Sequence, residues 1–334
     1  MIFNREKALK QEMINTGRKL YQQHLVAASA GNLSARLDKN HILITKTGSS
    51  LGNLTSRGIL KVDFCDPADI KSKPLSTEFP LHSLIYKNFP AQSVIHCHPP
   101  LTNGYFCVYP ELKNFTFESK LYLGDIPVVT QGTPSISRPE LVIEALRTSN
   151  LAVIKNHGVV CMAEDFRKAL NLIETLEEAV KIAGLARLFD KNILDDLDKP
   201  LKEDLTREAD AYPMFSKEHI QAIVDLVNRD SFIAQKGLEQ ELTLKLAIKL
   251  DGEASVYKFN FEKGKIVKLE FDAEAPFVIS APGAVWEMIF LGKLDPFVAT
   301  TQGKMKLKGD LGKLSRWYVP FSRLFELFRQ VKIK

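Results

Sequence analysis

Apolar and polar positions follow one rhythm in the first two hundred residues and another in the last hundred. From Arg5 to Leu25 apolar residues recur at helical spacing, with Ala8, Leu9, Met13, Leu20 and Tyr21 on one side, which predicts an opening helix. Phe166 to Phe189 predicts a second helix with a buried stripe of Leu170, Ile173, Leu176, Ala179, Val180, Ala183 and Leu185. Glu164-Asp165 stand near its start, where the helix dipole favours negative charge. Between these helices, short apolar runs such as Ile42-Leu43-Ile44, Val94-Ile95 and Leu151-Ala152-Val153-Ile154 alternate with small polar turns and read as buried strands. Past Leu197 the periodicity fades, and the charged stretch Asp190–Pro213 reads as a linker or a capping helix. Strict alternation then begins. Glu241–Leu250, Val256–Phe261 and Lys265–Phe271 are each predicted to be strands, joined by Asp251-Gly252 and Lys263-Gly264 turns into antiparallel hairpins. The last helix carries Trp317, Phe321, Leu324, Phe325 and Phe328 at helical spacing, a stripe that either lines a ligand tunnel or closes the core.

Length is compatible with two domains at 334 residues. The net charge of +5 is unevenly spread: residues 302–334 hold nine Lys or Arg against two acidic residues. A basic patch beside an apolar groove suits an anionic lipid surface or an acyl phosphate or acyl-coenzyme A ligand, and a plain solvated face is the alternative. No nucleic-acid motif accompanies the charge, and the aromatic residues repeat at core spacing, so no nucleic-acid partner is expected. Cys65, Cys97, Cys107 and Cys161 form no Cys-x-x-Cys pair, as expected of reduced thiols. The first residues lack an apolar leader and no run approaches a membrane span, so a soluble cytoplasmic protein is expected.

The chemistry sits in Ser93-Val94-Ile95-His96-Cys97-His98-Pro99. Side chains on a strand alternate between faces, so His96 and His98 share one face about 6–7 Å apart along the backbone, close enough to converge on one ion. His157, where the Leu151–Ile154 run ends in a turn, is the candidate third ligand, and Glu78, directly before a predicted helix, is the fourth group. Three nitrogens plus one further position is the pattern of catalytic zinc. Gly31-Asn32-Leu33-Ser34, Thr45-Lys46-Thr47-Gly48 and Ser76-Thr77-Glu78 are small polar turns of the kind that present N–H groups and hydroxyls to phosphate or carboxylate oxygens. Each alone would read as an ordinary turn.

Taken together, and with Gly132-Thr133 and Asn156-His157-Gly158 in order, these motifs resemble the class II aldolase/adducin family over about the first 205 residues. The resemblance implies an α/β/α sandwich with a central, mainly antiparallel sheet, and a metal site where the subunits of a ring-shaped homotetramer meet. It implies His96, His98 and His157 as ligands of a divalent metal, usually zinc, with manganese, iron or cobalt compatible with the same donors. It implies Glu78 as general acid/base, and Gly31, Asn32, Thr47, Gly48, Ser76 and Thr77 as the cradle of a sugar-phosphate substrate. Family aldolases also use a tyrosine proton donor from a neighbouring subunit; Tyr122 is the candidate here, with Tyr105 and Tyr109 weaker ones and packing roles the alternative for all three. The expected activity is metal-dependent aldol cleavage of a ketose phosphate. Dehydration or decarboxylation at the same site is the alternative, and a noncatalytic adducin-like scaffold the outsider.

Ala281–Phe297 followed by Gly303–Asp310 resembles a second family, the sterol carrier protein type two domain, over roughly Phe215 to the end. That resemblance implies a smaller α+β domain with a five-stranded sheet and an apolar tunnel for a lipid or acyl ligand. The expected organisation is a catalytic domain over 1–205, a linker over 206–216 and a carrier-like domain over 217–334.

Overall fold

The computed structural model describes residues 2–131, 136–189, 211–253, 256–271, 274–310, 314 and 316–334. Contacts divide the chain into two units, Met1–Asp198 and Lys199–Lys334. Gly132-Thr133 and residues 206–210 of the expected linker lie outside the described residues.

In the first unit the elements run α1 (Ile2–Gln22), β1 (Asn32–Arg36), β2 (His41–Thr45), β3 (Ile59–Asp63), α2 (Pro67–Lys71), α3 (Phe79–Asn88), β4 (Ser93–Cys97), α4 (Pro100–Val108) and α5 (Phe117–Tyr122). Then follow β5 (Val128–Val129), α6 (Pro139–Thr148), β6 (Leu151–Ile154), β7 (Gly158–Ala163) and α7 (Phe166–Phe189). The strands form one sheet in the order β3-β2-β1-β4-β7-β6-β5. Every pairing is antiparallel except β5 with β6.

Strand alternation divides the core between the two faces of this sheet. Leu33, Ala35, Leu43, Ile95, Cys97, Val153, Val159 and Cys161 share one cluster with Met13 and Leu20 of α1, Phe106 of α4 and Leu170, Ile173, Leu176, Ala179, Val180 and Ala183 of α7, whereas Leu185, expected in that stripe, is exposed. Ile42, Ile44, Val94, Ala152, Ile154, Val160 and Met162 share another with Leu81 and Ile85 of α3 and Val142 and Leu146 of α6. A near-continuous apolar sequence in β6 and β7 follows from this, since both faces are covered. The fold is the α/β/α sandwich that the motifs implied. One strand breaks the apolar rule: β1 turns Leu33 and Ala35 to the first cluster, so Asn32, Ser34 and Arg36 face α3.

The second unit holds β8 (Ala211–Tyr212), α8 (Lys217–Arg229), α9 (Ser231–Glu239), β9 (Leu244–Leu250), β10 (Val256–Glu262), β11 (Lys265–Glu270) and β12 (Phe277–Ala281). It continues with α10 (Gly283–Phe290), α11 (Pro296–Thr301), β13 (Lys306–Lys308), α12 (Tyr318–Phe328) and β14 (Lys332–Ile333). Its five-stranded sheet has the order β11-β10-β9-β12-β13. Both expected hairpins are present, β9–β10 and β10–β11, and Lys263 (φ 49°) with Gly264 (φ 87°) makes the second turn with two left-handed residues, as a tight hairpin requires. Residues 211–216, expected to be linker, belong to this unit: Ala211-Tyr212 pair in parallel with Lys332-Ile333, and the Phe215 ring packs 5.2 Å from Trp286.

Phe321, Leu324, Phe325 and Phe328 of α12 are all buried, so the stripe closes the core. Phe321 and Phe325 also line a cavity with Leu246, Ile279, Phe297 and Leu307, but its volume is only about 20 Å³, room for a single water molecule rather than an acyl chain. Among the described residues no helix is long and apolar enough to cross a membrane.

Candidate active site

His96 is the next-to-last residue of the buried strand β4, and His98 follows its end as the chain turns into the Pro99-Pro100 start of α4. That turn is fixed from behind by Glu177 of α7, whose carboxylate accepts from Leu101 N (3.0 Å), Thr102 N (2.9 Å) and Thr102 Oγ1 (2.7 Å), satisfying amides that a helix start leaves open. His157 lies in the β6–β7 turn, where Asn156 takes φ 62° and Asn103 Nδ2 donates to the His157 carbonyl at 3.2 Å. Gly158 is required next to it. A Cβ there would meet the Cys97 carbonyl oxygen in hard contact and come within 2.7 Å of the His98 ring. Gly158→Ala is expected to destabilise the unit by about 1–3 kcal/mol through overpacking and to displace His98, read by urea unfolding and by zinc affinity together.

The three imidazoles meet. His96 Nε2 is 2.9 Å from His98 Nε2 and 3.1 Å from His157 Nε2, and one nitrogen of each ring lies within 4.8 Å of the others. Tetrahedral bonds of about 2.0–2.1 Å to one cation would set nitrogens roughly 3.3 Å apart, close to the two separations that His96 makes. His96 Nδ1–H donates to the Val159 carbonyl at 2.9 Å, which leaves Nε2 as a bare lone pair, the usual support of a metal-ligating histidine. Burial lowers the pKa of His96, and that of His98 to about 4, which favours the uncharged rings that a cation requires as donors. The donor set fits a divalent cation.

Glu78 is the N-cap residue of α3 and adds a charge to this cluster. Its Oε1 is 3.0 Å from His157 Nε2, and its Oε2 is 3.2 Å from His96 Nε2. Burial by itself would push the carboxyl up; His96, His157 and Asn32 outweigh it and hold Glu78 well below the usual carboxylate range, hence ionised. Its partner Asn32 donates through Nδ2 to Oε2 at 3.1 Å.

A cleft of about 360 Å³ opens above this cluster, within the range of small-ligand sites. It brings together Gly31, Asn32, Thr47, Gly48, Ser76, Thr77, Glu78, His96, His98 and His157, all ten singled out in the sequence. Gly31 has φ 79°, and a Cβ there would strike the His96 carbonyl at 2.8 Å, so glycine lets the cradle approach the histidine strand. Ser29, Ala30, Lys46 and Ser49 line it too, and Lys46 is the single lysine or arginine among the lining residues. They flank the recognised motifs, and that adjacency was the signal available for them. Tyr122, at the exposed end of α5, is not among the lining residues; Tyr105 is buried in the core and Tyr109 packs 4.8 Å from it.

An ionised carboxylate wedged against three converging imidazoles, in a cleft edged by hydroxyl and glycine turns, defines a metal-dependent lyase of phosphorylated substrates. The chain belongs to the class II aldolase and adducin N-terminal domain family, whose model matches residues 11–183. The SCP-2 sterol transfer family model matches residues 227–318. L-fuculose phosphate aldolase of Methanocaldococcus jannaschii is 33% identical over 186 residues, covering 54% of this chain and 99% of that protein. 3-Oxo-tetronate 4-phosphate decarboxylase of Escherichia coli K12 is 30% identical over 184 residues, covering 53% of this chain and 86% of the relative. The crystal structure of L-fuculose-1-phosphate aldolase from Thermus thermophilus superposes with a TM-score of 0.50 at 28% identity, over 55% of this chain and 96% of that one. The enzyme is therefore an aldolase or a decarboxylase, and the scaffold alternative is set aside.

Proposed function

We propose that the first domain cleaves a ketose phosphate by a retro-aldol reaction, with Glu78 carrying the proton. The observation that supports this most is the placement of an ionised Glu78 carboxylate 3.0 and 3.2 Å from two of three converging imidazoles. A divalent cation on His96, His98 and His157, zinc by preference for three nitrogens, would stabilise the oxygen charge that builds up as the C–C bond breaks. Glu78 takes a proton from the substrate hydroxyl, the bond electrons pass to the carbon beside the carbonyl, and Glu78 returns the proton there. Thr47, Gly48, Ser76 and Thr77 hold the phosphate, with Ser76-Thr77 just ahead of the α3 N-terminus, where the dipole favours an anion. Binding energy from this remote group is used at the reacting carbons.

Decarboxylation of a 3-oxo acid phosphate is the second reading, because the decarboxylase and aldolase relatives match at similar identity. Loss of carbon dioxide leaves the same electron pair but removes no hydroxyl proton, so Glu78 would protonate the carbon with a proton it takes from water. Product analysis separates them. With L-fuculose 1-phosphate, release of dihydroxyacetone phosphate is expected; carbon dioxide from 3-oxo-tetronate 4-phosphate with no aldol cleavage would overturn the aldolase assignment in favour of the second.

Assembly into a tetramer is part of the proposal. Leu101 and Val108 of α4, Phe117 of α5 and Leu188 of α7 are exposed apolar residues on helices that pack together, which supports a subunit contact there. Light scattering of the purified chain at four times the monomer mass is the expected result. The second domain is proposed to take a lipid or acyl ligand only by displacing Phe321 and Phe325, given its small cavity.

A further inference from the structure

Outside the metal cluster, the least explained feature of the first unit is a row of polar side chains buried between β1 and α3. On the strand they are Asn32, Ser34 and Arg36, two residues apart; on the helix side they are Glu78, His82 and Tyr86, four apart. Two strand residues advance roughly 6.6 Å and four helical residues about 6 Å, so the two rows stay in step. Each strand residue meets its neighbours across the gap. Asn32 Nδ2 donates to Glu78 Oε2 at 3.1 Å, and Asn32 Oδ1 lies 2.5 Å from His82 Nε2. Ser34 Oγ is 2.6 Å from His82 Nδ1 and 2.9 Å from the Tyr86 hydroxyl. Arg36 sits over the Tyr86 ring at 4.9 Å and donates to the Tyr86 carbonyl.

The direction of every proton in this chain is forced from one end. An ionised Glu78 only accepts, so the Asn32 amide must turn its NH₂ toward it and its oxygen toward His82. His82 must then carry its proton on Nε2 and donate to Asn32, which leaves Nδ1 to accept from Ser34, and Ser34 to accept from Tyr86. His82 is fully buried and stays neutral, burial lowering its pKa to about 3, so the ring holds one tautomer rather than a charge. Turning the Asn32 amide over would set its oxygen against the carboxylate and its NH₂ against the imidazole N–H, two repulsive contacts without water to relieve them.

We propose that His82, held in its Nε2–H form by the Asn32 amide oxygen and seated by Ser34 at Nδ1, is a positioning residue that locks the Asn32 amide and through it aims the Glu78 carboxylate into the cleft. The assignment rests on the reading of Glu78 as the proton carrier. It gives Asn32 a second duty beside the phosphate cradle, and it gives a purpose to a buried histidine that touches neither cleft nor metal ligands. Tyr86 and Arg36 close the far end, so the lock is anchored in the core rather than in solvent.

Two measurements test it on the full-length protein. Nitrogen-15 NMR of histidine-labelled, metal-free protein reads the tautomer directly. A protonated Nε2 with a bare Nδ1 is expected in the wild type and, because the Asn32 acceptor at Nε2 is unchanged, in Ser34→Ala as well; an Nδ1–H wild-type ring, or a mixture, overturns the proposal. Steady-state kinetics on the substrate the enzyme turns over then read the consequence. His82→Leu and Ser34→Ala are expected to lower kcat about 10–100-fold at unchanged KM and unchanged bound zinc, as loss of a supporting partner does. His82→Gln, whose amide nitrogen reaches the Nε2 position, is expected to recover most of the rate, and His82→Asn, which does not reach it, to recover little. Equal kcat in wild type, His82→Leu and Ser34→Ala overturns the lock while leaving Glu78 in place. Failure of the parent reading looks different: Glu78→Gln would then turn over normally whatever the His82 tautomer.

Discussion

Glu78→Gln is expected to keep the fold, the bound metal and the substrate affinity and to lose about 10²–10⁴-fold in kcat, the usual worth of a positioned proton carrier. The amide has the carboxylate's shape, so Asn32, His96 and His157 keep a partner within the distances of 3.0 to 3.2 Å that surround Glu78 in the native cleft. What disappears is the ability to take a proton from one substrate atom and give it to another. A fall in kcat with KM unchanged identifies an interaction used only in the transition state, whereas a raised KM at constant kcat would mean that Glu78 merely helps to hold substrate. Rapid-quench single-turnover kinetics with calorimetric binding of substrate to the variant distinguish the two. An uncharged residue at 78 also removes the negative charge beside the three candidate ligands, so zinc content has to be measured on the same preparation.

Much of this site was legible from the sequence because its residues come as short motifs at turns. His96 and His98 are two apart on a strand, a period that can be read without knowing the fold. Thr47-Gly48 and Ser76-Thr77 are small-residue turns whose composition restricts what they do. Glu177 was not legible as a support: on the sequence it is one acidic residue beside a helical stripe, and only the packing of α7 on α4 brings it to the amides of Leu101 and Thr102. Asn32 was read as a phosphate residue, while both ends of its side chain are engaged by Glu78 and His82. The row behind it was missed for a physical reason. Its two halves have different periods, two on β1 and four on α3, and neither is unusual until strand and helix are laid together.

The second unit shows the opposite limit. Alternation located β9, β10 and β11 to within a few residues, because one covered face imposes it. The same apolar stripe in α12 is compatible with a tunnel wall and with a closed core, since both need aromatic residues at helical spacing. Only the volume left between Phe321, Phe325, Phe297 and Leu307 separates these, and it is small. Residues 211–216 were misplaced as linker because a two-residue strand has too few side chains to show a period.

His96→Ala is expected to abolish both metal binding and turnover, and to cost more stability than the equivalent change at His157. His96 Nε2 lies at the centre of the cluster, 2.9 Å from His98, 3.1 Å from His157 and 3.2 Å from Glu78, so without it the remaining donors no longer surround one point. The same substitution strips the buried Val159 carbonyl of its 2.9 Å partner, a desolvated acceptor worth about 1–3 kcal/mol, and opens a cavity beside β7. His157 is partly exposed at the cleft, so His157→Ala removes a ligand with little damage to the core. The pair therefore separates metal loss from unfolding. In wild-type protein a chelator should lower the unfolding temperature, and zinc at a hundred times its dissociation constant should restore about 2.7 kcal/mol by mass action. His157→Ala should unfold like chelated wild type with or without zinc, and His96→Ala below it under both conditions. Plasma mass spectrometry on the same samples should find near-stoichiometric metal in the wild type alone. Stoichiometric metal in His96→Ala would mean that the cation sits elsewhere, and the proton-transfer role of Glu78 would lose its Lewis-acid partner.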